Sequence, residues 1–170
     1  MFEIETEDLH ALDPARIYRT YVDSNQLSPF HQCYANEQTV LRIAAGRFFA
    51  HYNGDDPTAG YWALREHAAL YDVPERPVEI SGPDSVPFLE QILTRHVADL
   101  AMDRGRYALA CTHQGGVFMD GILFRLAEDR FWFVHPDGDL DTWLLAHSHA
   151  FDVTVSDPNS RVLQLQGPKS

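Results

Sequence analysis

Between positions 73 and 155 the apolar residues fall into short alternating runs separated by turn formers. Alternation at every second residue is the signature of a half-buried strand. It predicts strands over 76–81 (RPVEIS), 107–112, 117–126, 131–135 and 151–155. Gly82, Pro83 and Asp84 suit the start of a helix, because proline lacks only an amide that a first turn leaves unpaired. Leu89, Ile92, Leu93 and His96 fall on one face of that helix. A second helix is predicted over 139–150, with Leu140, Trp143, Leu144, His147 and Phe151 at helical spacing and Asp139 and Asp141 near its N-terminal dipole. Strand, helix, three strands, helix, strand describes an α+β fold: an antiparallel sheet covered by two helices on one face, a plait of about 80 residues.

The flanking chain is less regular. Residues 1–35 carry apolar positions without a sustained period and are broken by Pro14 and Pro29, which predicts an irregular or partly helical lead-in. Residues 39–47 read as a strand ending at Gly46, and 47–56 as a strand or loop running into a turn. Pro57 and Thr58, with Thr58 as N-cap, open a helix to Leu70 in which Tyr61, Leu64 and Ala68 share a face. Residues 161–166 read as a strand, followed by Gly167 and Pro168 where a new helix would begin. The expected organisation is 1–72 as the start of a first domain, 73–157 as the plait, and 158–170 as a first strand of return to domain one, cut short.

Composition narrows the function classes. A 170-residue chain that is 45% hydrophobic can build a real core. A formal charge of −12 with no Lys/Arg cluster argues against a nucleic-acid or anionic-membrane partner and leaves small molecules and proteins. Cys33 and Cys111 match no metal or redox spacing and read as reduced thiols. The acidic N-terminus lacks the basic start and apolar run of a signal peptide, and no run approaches the ~18 residues of a membrane span, so a soluble cytoplasmic protein is expected.

Chemistry concentrates in residues 104–135. Along 117–126, Phe118, Asp120, Ile122, Phe124 and Leu126 share one strand face, while Val117, Met119, Gly121, Leu123 and Arg125 share the other. Asp120 therefore sits within an apolar stripe. A carboxylate there is either hydrogen-bonded for structure or faces a cavity that uses it as an acid, base or acceptor, and periodicity by itself favours the structural use. Gly115 and Gly116 are most simply a hairpin requirement. His147 and His149, two apart on a helix, point to different sides. Asp137, Asp139 and Asp141 lack the closing glutamate of a calcium loop, so no metal site is expected.

Four segments carry a resemblance: LREHAALYDV (64–73), VEISGPDS (78–85), GRYALACTHQGGVFMDGI (105–122) and LQLQGPKS (163–170). Together they resemble the folate-binding family of glycine-cleavage aminomethyltransferases, particularly its demethylase-like members that move a methyl group onto tetrahydrofolate. The resemblance implies a chain of roughly twice this length, with three domains around a folate channel. It also implies that Asp120 is the catalytic residue and contacts the pterin, and that Tyr107, thirteen residues earlier, packs beside it as a second folate contact. The implied reaction is attack by N5 of tetrahydrofolate on an activated methyl of a small methylated donor, with Asp120 orienting the pterin or taking a proton. Met119, Pro136 and the Pro74-Glu75-Arg76 segment depart from the aminomethyltransferase pattern, which counts against glycine cleavage itself. The alternatives carried forward are a glycine-cleavage aminomethyltransferase, a non-catalytic folate-binding relative of the iron–sulfur assembly type, and an inactive fragment. A fragment would expose an apolar face near Leu163 and Leu165 and either associate, as a homo-oligomer, or bind folate weakly.

Overall fold

The computed structural model describes residues 17–19, 24–136 and 138–170. The chain divides into two units, Glu75–Ser160 and Met1–Pro74 with Arg161–Ser170.

In the first of these units, five strands form one antiparallel sheet. With the strands of the whole chain numbered in order, they are β6 (Arg76–Ser81), β7 (Arg104–Cys111), β8 (Val117–Ala127), β9 (Arg130–His135) and β10 (Thr154–Ser156), in spatial order β10-β6-β9-β8-β7. Helices α3 (Ser85–Ile92) and α4 (Leu140–His147) join β6 to β7 and β9 to β10. Val78 and Ile80 of β6, Ala108 and Ala110 of β7, Met119 and Leu123 of β8, and Phe131 and Phe133 of β9 form one cluster with Phe88, Leu89 and Ile92 of α3 and Leu140 and Leu144 of α4. Both helices therefore cover the same sheet face, and the fold is the α+β arrangement expected from the alternation.

Several details differ from the periodic reading. Helix α3 ends at Ile92, so Leu93 is buried from the following loop and His96, 88% exposed at its side chain, is on no helix face. Glu90 ends that helix productively: its carboxylate accepts from the Val97 and Ala98 amides, at 2.7 and 3.0 Å. Arg106 donates to the His96 carbonyl and to Asp99. These bonds turn the loop inward so that Val97 and Leu100 plug the core. Helix α4 stops at His147 and tightens into a 3-10 turn, Ser148–Ala150. Asp137 lies outside the described residues.

The sheet face turned away from the helices carries a charge cluster at its β6–β9 end. Glu79 accepts from Arg130 Nε at 2.8 Å and from Trp132 Nε1 at 2.7 Å. The Arg130 hydrogen bond, helped by Trp132 and opposed by desolvation, lowers the Glu79 pKa below the ordinary carboxylate range. A folded pKa below the unfolded value of about 4.3 means a stabilisation complete above that pH and lost as pH falls through the folded value. The stability gap between wild type and Glu79→Gln in urea should accordingly narrow as pH is lowered from about 6 to about 3. A gap constant across that range would show that Glu79 makes no pH-dependent contribution.

The other unit is built from β1 (Ile17–Arg19), β2 (Ser24–Gln26), a short helix α1 (His31–Tyr34), β3 (Val40–Ala44), β4 (Arg47–Tyr52), helix α2 (Pro57–Glu66), β5 (Ala69–Val73) and β11 (Val162–Gln166). Four strands pair in the order β1-β2-β4-β3. Much of the expected lead-in, 1–16 and 20–23, lies outside the described residues. Ala45 and Gly46 both take positive φ, as the two-residue turn between twisted antiparallel strands requires.

Two expectations for α2 are corrected. Its N-cap is Asp56, whose carboxylate accepts from the Thr58 amide at 2.9 Å, so Thr58 is inside the helix. The helix also ends at Glu66, and residues 69–73 form β5, antiparallel to β11 with Leu70 opposite Leu165 and Asp72 opposite Leu163. A partner some ninety positions away overrides the local helical spacing of Leu64 and Ala68. Leu70, Leu163 and Leu165 are all exposed on this ribbon. Within α2, a Cβ added at Gly60 would meet nothing within 4 Å. Gly60→Ala should therefore stabilise the chain by roughly 0.5–1 kcal/mol, read from the urea midpoint, through backbone entropy alone.

Candidate functional site

The burial of β8 inverts the expectation drawn from its apolar stripe. Met119, Gly121 and Leu123 are buried against the helices, while Asp120 is half-buried and Ile122 exposed on the opposite, open face. The larger side chains thus lie on the side that no helix covers. Phe118 escapes this rule because the β7–β8 register shifts between Ala110 and Cys111, and its ring packs on Trp143 of α4 at 4.8 Å. The cost of burying an isolated carboxylate, which made Asp120 anomalous in the sequence, is therefore largely absent.

Register brings Tyr107 and Asp120 together. Tyr107 pairs with Ile122 and Leu109 with Asp120, so Tyr107 and Asp120 are diagonal neighbours on one face. The Tyr107 hydroxyl donates to Asp120 Oδ2 at 2.7 Å, and Tyr107 is 55% exposed. That hydrogen bond, followed by desolvation, raises the phenol pKa and keeps Tyr107 a donor. Tyr107 uses one lone pair of one carboxylate oxygen, which leaves acceptor capacity on Asp120 for a ligand.

The floor around this pair is apolar. In rows across β7, β8 and β9, Tyr107 lies beside Ile122 and Val134, and Gly105 beside Phe124 and Trp132. Gly105 is needed where it stands, since a Cβ there would come 2.7 Å from the Phe124 ring. The hairpin before β8 is closed by the Thr112 and Gly115 amides and by Gly115 at φ 84°, as a tight turn requires. An apolar floor beside the Tyr107-bonded carboxylate of Asp120 suits a planar ring that offers N–H donors. Among the described residues no group of three or more His, Cys, Asp or Glu is placed to hold a metal ion. None of the helices is long and apolar enough to cross a membrane, among the described residues.

Sequence reasoning missed a second cluster. His113, in the β7–β8 turn, stands 6.0 Å from Trp143 and 5.6 Å from His147 between ring centroids, and the Trp143 and His147 rings are 4.3 Å apart. His147 Nδ1 is 2.7 Å from the Trp143 carbonyl oxygen. The i, i+4 spacing of Trp143 and His147 was legible, but nothing in the chain near His113 announced that the turn would reach α4.

Comparison with known proteins accords with this fold. The GCVT N-terminal domain family matches residues 34–170, and the chain belongs to that family. It is 36% identical over 110 residues to dimethylsulfoniopropionate demethylase DmdA of Ruegeria pomeroyi, covering 63% of this chain and 30% of the relative. It is 33% identical over 114 residues to an aminomethyltransferase of Alkaliphilus metalliredigens, covering 64% and 31%. The crystal structure of the glycine cleavage system aminomethyltransferase T from Bartonella henselae superposes with a TM-score of 0.75 at 26% identity, over 85% of this chain and 41% of that one. The chain thus aligns with less than a third of the length of these curated relatives.

Proposed function

We propose that this chain is the folate-binding part of a cytoplasmic one-carbon transferase that moves a methyl group from a small methylated donor to tetrahydrofolate. The observation that carries this reading is the hydrogen-bonded Tyr107–Asp120 pair on the open apolar face, in a chain of the GCVT N-terminal domain family. Tetrahydrofolate supplies a nucleophilic nitrogen to the reaction when bound. The apolar floor of Ile122, Val134 and Leu109 would hold the pterin ring and exclude water from one side of it. Asp120 would accept from the ring's N–H groups and thereby fix its rotation, and would take the proton released as nitrogen gains carbon. Tyr107 would hold the Asp120 carboxylate in one orientation. Positioning of this kind supplies most of the rate in methyl transfer between a nitrogen and a methyl that must lie in line.

The similarity to DmdA favours a demethylase, and the similarity to aminomethyltransferases favours a glycine-cleavage reaction as a second reading. Calorimetric titration with tetrahydrofolate tests the shared part, with saturable binding near one equivalent expected. The two readings separate by product. Incubation with a methylated sulfonium donor and tetrahydrofolate should yield 5-methyltetrahydrofolate, whereas the glycine-cleavage reading requires the methylene form from an aminomethyl donor. Absence of folate binding would remove both.

A further inference from the structure

The open sheet face continues past Tyr107 and Asp120 into a further row. Phe124 of β8 stands between Gly105 of β7 and Trp132 of β9, and Trp132 in turn pairs with Glu79 of β6. The Phe124 ring lies over Gly105, since a Cβ there would meet two of its ring carbons at 2.7 and 2.9 Å. Phe124 and Trp132 are both half-buried. Glu79 Oε2 accepts from the indole Nε1 and takes Arg130 on Nε and Nη2, at 2.8 and 2.7 Å. A guanidinium carries its donors in a fixed planar fork, so Nη1 is left on the side turned away from Glu79. Nη1 makes no hydrogen bond or ion pair with the described residues, and the Arg130 side chain is 49% exposed. Of the described strand residues on this face, Arg130 is the only cation.

We propose that this row is a subsite for the tail of the folate, with the aminobenzoyl ring on Phe124 and Trp132 and a glutamyl carboxylate on Arg130 Nη1. The proposal rests on the folate reading of Asp120 and extends it. Four residues along β8 separate Asp120 from Phe124, about 13 Å at the rise of an antiparallel strand. Ile122 and Val134 fill the row between them. Tetrahydrofolate has its parts in the same order: an N–H-bearing ring edge, the rest of the pterin, a short linker, a flat benzoyl ring and a carboxylate at the far end. Aromatic side chains take a flat ring by offset stacking. Arg130 gives the terminal carboxylate a charged donor in a chain whose net charge of −12 otherwise repels it. Glu79 is a positioning residue that fixes the indole and the guanidinium.

Calorimetry on the 170-residue chain with tetrahydrofolate and with 6-methyltetrahydropterin, which keeps the ring and lacks the tail, tests the assignment. Tetrahydrofolate should bind at least ~10-fold more tightly. Arg130→Gln should weaken tetrahydrofolate binding ~3- to 10-fold and Trp132→Leu ~10-fold, each leaving the affinity for 6-methyltetrahydropterin unchanged. That retained affinity also reports a folded variant. Equal wild-type affinities for the two compounds, wild-type affinity for tetrahydrofolate in Arg130→Gln, or equal losses for both compounds in that variant would each overturn the tail subsite and leave Asp120 as the pterin acceptor. Binding of neither compound would remove the folate reading and the subsite with it.

Discussion

Asp120→Ala is expected to weaken tetrahydrofolate binding by ~10- to 100-fold and to leave the thermal midpoint of the chain nearly unchanged. The magnitude follows from losing hydrogen bonds to a charged acceptor, worth about 1.5–3 kcal/mol, at about 1.4 kcal/mol per decade of affinity. The small effect on stability follows from position. Asp120 is on the open face, and its partner Tyr107 is exposed enough to turn its hydroxyl to water when the carboxylate is gone. Asp120→Asn keeps shape and one acceptor but not charge, and should fall between wild type and alanine. Tyr107→Phe frees the carboxylate to rotate without removing it, so a weaker effect of ~3- to 10-fold is expected. Calorimetry with tetrahydrofolate and a thermal melt on each variant separate the two effects. Wild-type affinity in Asp120→Ala would end its assignment as the pterin acceptor, whereas lost affinity accompanied by a collapsed melt would return it to a structural role.

The largest loss of stability is expected one residue further on. Gly121 is buried on the helix-covered face of β8, and a Cβ there would collide with the Val134 carbonyl oxygen and come 2.6 Å from the Phe133 ring. Neither obstacle can yield cheaply. The carbonyl belongs to β9, whose pairing with β8 holds the centre of the sheet, and Phe133 is 1% exposed within the core. Gly121→Ala should therefore cost ~2–4 kcal/mol, as overpacking of a rigid site does, and lower the melting midpoint by roughly 10–30 °C. Gly115→Ala is the control. Its Cβ would meet nothing within 4 Å, so only its positive φ is penalised, at ~1 kcal/mol. Equal losses at the two glycines, measured by urea denaturation, would contradict the steric account. Adjacent residues of one strand thus meet different surroundings, Asp120 the open face and Gly121 the packed core.

That adjacency shows how far one-dimensional pattern reaches. The alternation in 76–81, 117–126 and 131–135 identified these strands because a residue's side on a strand is set by parity, which is local. Parity separated Asp120 from Gly121 correctly but could not say which set is covered. The set with more large apolar residues, Phe118, Ile122, Phe124 and Leu126, was the natural choice for the interior. The structure buries Met119, Gly121 and Leu123 because α3 and α4 lie on the face that also receives Val78, Ile80, Phe131 and Phe133. Summed over five strands, that is the richer face, though in β8 alone it is the poorer. The expected helix runs into the first two residues of the strand Ala69–Val73 for a related reason: the ladder partner of that strand is Val162–Gln166, and no local window contains both.

The candidate site divides in the same way. Tyr107 and Asp120 were named together through family resemblance, and the β7–β8 register places them in hydrogen-bond contact. Glu79 with Arg130 and Trp132, His113 with Trp143 and His147, and Tyr34 with Asp72 had no such signal, because each joins elements distant in the chain. What the sequence determined by itself was the α+β class, the order of the plait's strands and helices, and the side of β8 on which Asp120 stands, since all three follow from local periodicity and turn chemistry. Only the tertiary structure decided which sheet face stays open, that Asp120 is half-exposed with Tyr107 as donor, and that Tyr34 lies against Asp72. Those are properties of how separate segments pack, and burial belongs to the assembled layers and not to any one strand.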